Sequence, residues 1–224
     1  MAPSPVTAAT PTHRRVFAPG LPGWWIGVLF MVGSACFALG SLPGFASRAN
    51  PTAVGVTFFV GSVFFTSAAA LQHLQTVRAG RAAGLAGLRR PDTWATAVQL
   101  VGTVFFNITT GAALNDTLDT QQEIARVWAP DAIGSACFLV ASYLAILVVR
   151  RDRRPGDEID RRIAWLNMLG SVFFGISAAT SYILPSTGEM LDAEATNAFT
   201  FLGAACFLLG ARLVAAETLA AARR

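Results

Sequence analysis

The chain has 224 residues, of which 54% are hydrophobic and only 13% are charged. A soluble protein carries charge on roughly a quarter of its residues, so this composition indicates a polytopic membrane protein. All 17 basic residues are arginine, and the absence of lysine excludes a lysine Schiff base or a P-loop phosphate clamp. With two histidines, three cysteines and no CxxC pair, neither a cofactor nor a metal site is predicted.

Six stretches are long and apolar enough to cross the hydrocarbon core of a bilayer, which takes about 20 residues. The predicted transmembrane helices cover 24–42, 52–72, 94–114, 129–149, 163–184 and 197–216. Of the 17 basic and 13 acidic residues, all but two lie outside these stretches. The exceptions, Asp131 and Arg212, are close to the ends of their spans, where capping or snorkelling suffices. The predicted fold class is therefore all-α, with six transmembrane helices.

The arginines are distributed unevenly between the two sides of the predicted bundle. Only Arg48 and Arg126 lie on one side, and the other fifteen lie on the side that carries both termini. Because cytoplasmic segments are enriched in basic residues, both termini are predicted to be cytoplasmic, in a bacterial inner membrane. The first span follows Arg14 and Arg15, as in a secretory signal sequence, but its length and the lack of a clear cleavage site favour a retained helix.

The spans group into three hairpins that are separated by charged loops. The predicted segments are a disordered tail (1–20), a first hairpin (21–76), a cytoplasmic Arg-rich loop (77–92), a second hairpin (93–150), a charged cytoplasmic loop (151–162), a third hairpin (163–217) and a cytoplasmic tail (218–224).

A five-residue pattern recurs in every span: Gly, a small residue, Ala or Val, Cys or Phe, and then Phe. Its first and last residues are Gly33 and Phe37, Gly61 and Phe65, Gly102 and Phe106, Gly134 and Phe138, Gly170 and Phe174, and Gly203 and Phe207. These positions share one stripe of a helix with a small or hydroxyl residue seven positions after the glycine. The pattern therefore predicts helix–helix packing, and a pore-lining or ligand-binding role is the less favoured alternative.

Two symmetries are compatible with a sixfold repeat. Three tandem hairpins, all inserted in the same direction, agree best with the spacing of the motif glycines. A 3+3 inverted repeat, which many transporters use, matches span one with span four and span two with span five, but not span three with span six.

Polar side chains accompany the stripe in the later spans. The candidates for a polar interface or pathway are Gln99, Thr103, Asn167, Ser171 and Thr200. Hydrogen bonding between helices is the favoured interpretation, and the lining of a polar pathway is the alternative.

The most regular copies of the motif are in residues 165–174 and 197–207. They resemble the bacterial YrhK-like membrane domain, a two-helix hairpin with a Gly-Ser-x-x-Phe signature in each helix. The resemblance is strongest over 163–213 and weaker over 94–149 and 24–72, so it implies three tandem copies. The family has no assigned activity or catalytic residues, so the resemblance implies none for this chain.

No catalytic constellation or nucleotide-binding motif is present in the sequence, which predicts a protein that is not an enzyme. The favoured function is a scaffold or accessory subunit of a membrane assembly. Its partners would be the lipid bilayer and other membrane subunits or further copies of itself, and no nucleic acid. The alternative is a channel or transporter for a small neutral solute, because no charged residue lies in the middle of a span.

Overall fold

The computed structural model describes residues 18–82, 84, 90–151 and 158–223. It contains six long helices, which are α1 (Pro22–Gly40), α2 (Pro51–Ala82), α3 (Pro91–Ala112), α4 (Thr120–Arg151), α5 (Glu158–Thr180) and α6 (Ala193–Ala221). A one-turn helix, Pro43–Ala46, lies between α1 and α2. The predicted disordered tail and loops fall partly outside the described residues, which exclude 1–17, 83, 85–89, 152–157 and 224.

Local sequence accounts for several helix boundaries. Helices α1, α2 and α3 each begin at a proline, whose fixed φ and missing N–H suit the first turn. Helix α6 begins after Asp192, whose carboxylate accepts a hydrogen bond from the backbone N–H of Ala195 at 2.9 Å, an N-cap. Helix α4 contains a π-helical turn, Ile124–Trp128, just before Pro130, which has no N–H to continue the regular hydrogen-bond ladder.

Five of the long helices, α1, α2, α4, α5 and α6, are long and apolar enough to cross a membrane. Helix α3, which carries Gln99, Asn107 and several threonines, is not among them. The all-helical chain therefore has the character of a multi-pass membrane protein.

Several helices extend beyond the predicted ends of their spans. Helix α4 begins at Thr120, before residue 129, and α5 begins at Glu158, so the last residues of the segment predicted as the charged loop 151–162 are helical. Helix α2 continues past residue 72 to Ala82, so the first residues of the segment predicted as an Arg-rich loop are helical. Helix α6 continues past residue 216 to Ala221, into the predicted tail. The apolar pattern marks the part of a helix that lies in the bilayer, and the helix itself continues for as long as its backbone hydrogen bonds can form.

The six long helices form a closed ring. Each helix packs against the ones before and after it in the chain, and α1 packs against α6. At one end of the ring, which we term the termini end, the start of α1 meets the end of α6, where Gly23 lies against Thr218. The opposite end, termed the loop end, carries the loops at 41–50, 113–119 and 181–192.

Six phenylalanines, one from each helix, fill the centre of the ring and form what we term the six-phenylalanine core. They are Phe37, Phe65, Phe106, Phe138, Phe174 and Phe207, none more than 9% exposed. The rings from α1, α3 and α5 form one triangle, with centroids 5.6–6.2 Å apart. The rings from α2, α4 and α6 form a second triangle at 5.6–6.3 Å. Contacts of 5.0–5.8 Å within each hairpin join the two triangles, so the nine contacts are the edges of a trigonal prism.

The direction of the helices places one triangle nearer to each end of the ring. In α2, α4 and α6 the phenylalanine follows the motif glycine toward the termini end, and in α1, α3 and α5 it follows toward the loop end. We term Phe65, Phe138 and Phe207 the termini-side triangle.

The motif glycines lie at the contacts between the two helices of each hairpin. A Cβ atom on Gly102 would lie 3.1 Å from the carbonyl oxygen of Gly134, and a Cβ atom on Gly134 would lie 3.1 Å from the carbonyl oxygen of Gly102. The pairs Gly33–Gly61 and Gly170–Gly203 repeat this reciprocal contact. Small residues at an interface allow such close backbone approach, which drives helix association in lipid.

Candidate functional site

A cavity lies on the axis of the ring, between the termini-side triangle and the termini end. Its volume is about 60 Å³, and all six helices contribute to its wall. The lining residues are Ile26, Phe30, Phe65, Gln72, Gln99, Phe138, Ser142, Ile163, Asn167, Ser171, Phe207, Gly210, Ala211 and Val214. Since one water molecule needs only about 10–15 Å³ of such space, the cavity accommodates several waters or one small molecule.

Five of the lining side chains are polar and all are uncharged. The Nε2 group of Gln99 donates a hydrogen bond to Oε1 of Gln72 at 3.3 Å, which joins α3 to α2. The hydroxyls of Ser142 and Ser171 are 2.8 Å apart and join α4 to α5. The fifth polar residue, Asn167, is half-buried on α5, one helical turn before Ser171.

The side-chain amide of Asn167 has no hydrogen-bond partner among the described residues. Its Oδ1 atom lies 2.9 Å from the position that a Cβ atom on Gly210 would take, so the amide occupies the space that this glycine leaves in α6. Asn167 and Gln99 therefore present amide groups to the cavity from two different helices.

Three of the five predicted polar candidates, Gln99, Asn167 and Ser171, line the cavity. Thr200 does not, because it precedes its motif glycine in a helix that runs from the loop end to the termini end. Its hydroxyl is 2.7 Å from that of Ser177. The six-phenylalanine core lies between Thr200 and the two amides, so these candidates do not form one continuous polar row.

The fifth candidate, Thr103, is fully buried in the contact between α2 and α3. Its hydroxyl donates to the carbonyl oxygen of Leu100 at 2.7 Å, and its own carbonyl accepts from the hydroxyl of Thr66 at 3.2 Å. Asn107 donates from Nδ2 to the Thr66 hydroxyl at 2.9 Å. Thr103 therefore lies in a helix interface and not in the wall of the cavity.

Two of the polar lining residues, Gln72 and Ser142, are not among the five predicted candidates. Gln72 is eleven residues after Gly61, which at 100° per residue is a rotation of about 20° from the glycine. Ser142 is eight residues after Gly134, on the edge of the same stripe. Following the stripe one further turn toward the termini end would have included Gln72.

The termini end of the α2–α3 contact has a second polar pair beside the cavity. Nδ1 of His73 lies 3.0 Å from the hydroxyl of Thr96; His73 directly follows the lining residue Gln72, and Thr96 is three residues before Gln99. Within the described ranges, no group of three His, Cys, Asp or Glu side chains is placed to hold a metal ion.

Comparison with known proteins gives no match to a family model, a curated protein or a solved structure. The function is therefore inferred from the geometry of the ring, its core and its cavity.

Proposed function

We propose that the chain is a six-span protein of the bacterial inner membrane that acts as a non-enzymatic scaffold or accessory subunit. The observation that carries this proposal is the six-phenylalanine core, whose rings touch along all nine edges of the prism at the centre of a closed ring of helices. A core of this kind stabilises a fixed arrangement of helices, and its phenylalanine side chains carry no acidic, basic or nucleophilic group. The partners are the lipid bilayer and other membrane subunits or further copies of the chain.

The proposal of six spans includes α3, although its most apolar stretch is less hydrophobic than those of the other five long helices. With 22 residues, α3 is long enough to cross a bilayer, and it packs between α2 and α4 in the ring. Its amides bond to α2, Gln99 to Gln72 and Asn107 to Thr66, so they are turned toward protein. Polar side chains that hydrogen-bond to a neighbouring helix in this way are tolerated within a membrane.

The order of the helices supports three tandem hairpins, and with them the proposed YrhK-like repeat. A rotation that reverses the direction of the helices also reverses their order around a ring. A 3+3 inverted repeat would map α1, α2 and α3 onto α4, α5 and α6, which reverses the direction of each helix but keeps the order of the helices around the ring. That requires a mirror operation, which a chain of L-residues cannot provide. A threefold rotation about the ring axis maps hairpin onto hairpin, and the prism of phenylalanines has this symmetry.

A channel or transporter for a small neutral solute is the second candidate, and the uncharged polar cavity favours it. The six-phenylalanine core separates this cavity from the loop end, however, so that passage of a solute requires both triangles of rings to open. The scaffold role needs no such movement.

Two measurements test the scaffold proposal. Purification of the full chain from its native membrane in a mild detergent should recover partner subunits in a fixed stoichiometry. In proteoliposomes, the full chain should give no more acetamide permeability than protein-free vesicles. Recovery of the chain alone, together with acetamide flux that Asn167→Leu abolishes and Thr200→Val leaves intact, would replace the scaffold with a transporter.

A further inference from the structure

We propose that the cavity is a binding site for one small neutral molecule of the carboxamide or urea class, which both donates and accepts hydrogen bonds. This inference goes beyond the scaffold role and does not depend on it.

The cavity is found where the repeat departs from apolar packing. Three residues before the motif glycine, α1 carries Phe30, whereas α3 carries Gln99 and α5 carries Asn167. Eleven residues after the glycine, α2 carries Gln72, whereas α6 carries Val214. All five residues line the cavity, so polar groups occupy positions that an equivalent helix fills with an apolar side chain. Departures from local consistency of this kind are typical of functional sites.

The lining groups have more hydrogen-bonding capacity than the protein uses. A side-chain amide has two N–H donors and an oxygen with two lone pairs, and the contact between Gln72 and Gln99 uses one donor and one acceptor. The amide of Asn167 has no partner among the described residues. Unmet polar groups are costly in a medium of low dielectric constant, so a molecule that pairs with them is held by these amides.

Size and charge define the class of ligand. The cavity of about 60 Å³ admits a molecule with only a few non-hydrogen atoms. Its described lining residues include no charged side chain, so an ion would enter without a counter-charge and at a high desolvation cost. A primary carboxamide is neutral, and its N–H and C=O groups are complementary to those of Gln99 and Asn167.

The ligand enters from the termini end. A groove of about 440 Å³ at that end, between α1, α2 and α6, has Val214 in common with the cavity. On the opposite side the termini-side triangle of phenylalanines closes the cavity. Among the described residues, the termini end is therefore the side on which the cavity adjoins a surface groove, which fits reversible binding at one membrane face.

Protection of a single cysteine by acetamide tests the site. In the full chain, Cys36, Cys137 and Cys206 are replaced by alanine, and Ile163→Cys introduces one cysteine into the cavity wall. This variant is reconstituted in lipid nanodiscs. Acetamide should slow alkylation of this cysteine by iodoacetamide in a saturable manner. As a matched control, Arg161→Cys, on the exposed surface of the same helix turn, should be alkylated at a rate that acetamide does not change.

Two further variants test whether protection by acetamide depends on the amides and on the open space of the cavity. Combined Gln99→Leu and Asn167→Leu should raise the acetamide concentration for half-protection by about tenfold or more, because two hydrogen-bonding groups are lost. Val214→Phe keeps both amides and fills the space, and it should abolish protection while circular dichroism reports an unchanged helix content. Unsaturable protection, equal protection at Arg161→Cys, or no dependence on the amides would overturn the proposal and leave a cavity that holds only water.

Discussion

The carbonyl oxygen of Gly170 lies 3.0 Å from the position that a Cβ atom on Gly203 would take, and the carbonyl oxygen of Gly203 lies 3.1 Å from the equivalent position on Gly170. The ring of Phe174 lies closer still to the Cβ position of Gly203. Helices α5 and α6 therefore meet backbone to backbone, and the core phenylalanine of one helix covers the motif glycine of the other.

Replacement of Gly203 by alanine should destabilise the protein by about 1–3 kcal/mol, the usual cost of overpacking a well-packed contact. A backbone oxygen cannot move aside without shifting the helix, and this cost exceeds the gain in helix propensity from Gly to Ala. Reversible unfolding in mixed micelles with increasing SDS would measure the difference. Gly44→Ala is the matched control, since nothing lies within 4 Å of its Cβ position, and equal losses for the two variants would contradict the close approach.

Replacement of Phe106 by alanine should cost more than the same change at Phe201. Phe106 is 4% exposed and contacts three other rings of the core, whereas Phe201 is 36% exposed. Truncation of a buried phenylalanine costs about 3–5 kcal/mol in soluble proteins, and we expect the low end of this range because the unfolded reference state in lipid also keeps the ring from water. The same SDS titration measures both variants, and a smaller loss at Phe106 than at Phe201 would argue against a packed centre.

The stripe of small residues and phenylalanines can be predicted from the sequence, because the spacing of residues along the chain determines which of them share one face of a helix. The contacts of Phe37 with Phe106 and Phe174 cannot be predicted in this way, because they depend on closure of the ring between α1 and α6. The same closure determines which polar residues share a space. Gln99 and Asn167 are far apart in sequence and line one cavity, whereas Thr200, at the same offset from its glycine, lies beyond the core since α6 runs in the opposite direction.

Ser171 and Ser34 occupy the same motif position in α5 and α1, and both are fully buried. The Ser171 hydroxyl contacts the Ser142 hydroxyl and the carbonyl oxygens of Phe138 and Asn167 at 2.8–3.1 Å, whereas the Ser34 hydroxyl has no hydrogen-bond partner in the described part of the chain. Ser171→Ala should therefore destabilise the protein by about 1 kcal/mol, and Ser34→Ala should leave its stability unchanged or raise it. Thermal unfolding of the two variants in the same detergent would measure the contrast, and an equal loss for both would refute it.

A topology reporter fused after Arg224 should report a cytoplasmic location, and one inserted after Thr117 should report a location on the opposite side of the membrane. The reason is the predicted excess of arginine on the side of both termini, to which the six-span topology assigns fifteen of the 17 basic residues, since such segments are retained in the cytoplasm. Paired alkaline phosphatase and green fluorescent protein fusions report the two sides with opposite signals. The reverse pattern would place the entrance of the cavity outside the cell.

Gly210→Ala should affect the cavity without weakening the fold. The new Cβ atom would lie 2.9 Å from Oδ1 of Asn167 and 3.8 Å from Cβ of Leu166, so the obstructing atom is the end of a flexible side chain that can rotate away. The gain in helix propensity, up to about 1 kcal/mol, offsets that movement, and stability in the SDS titration should equal or exceed that of the unaltered protein. Displacement of the Asn167 amide should at the same time weaken the protection of Ile163→Cys by acetamide. A loss of stability as large as that of Gly203→Ala would show that Asn167 is fixed in place, and unchanged protection would show that its amide takes no part in the site.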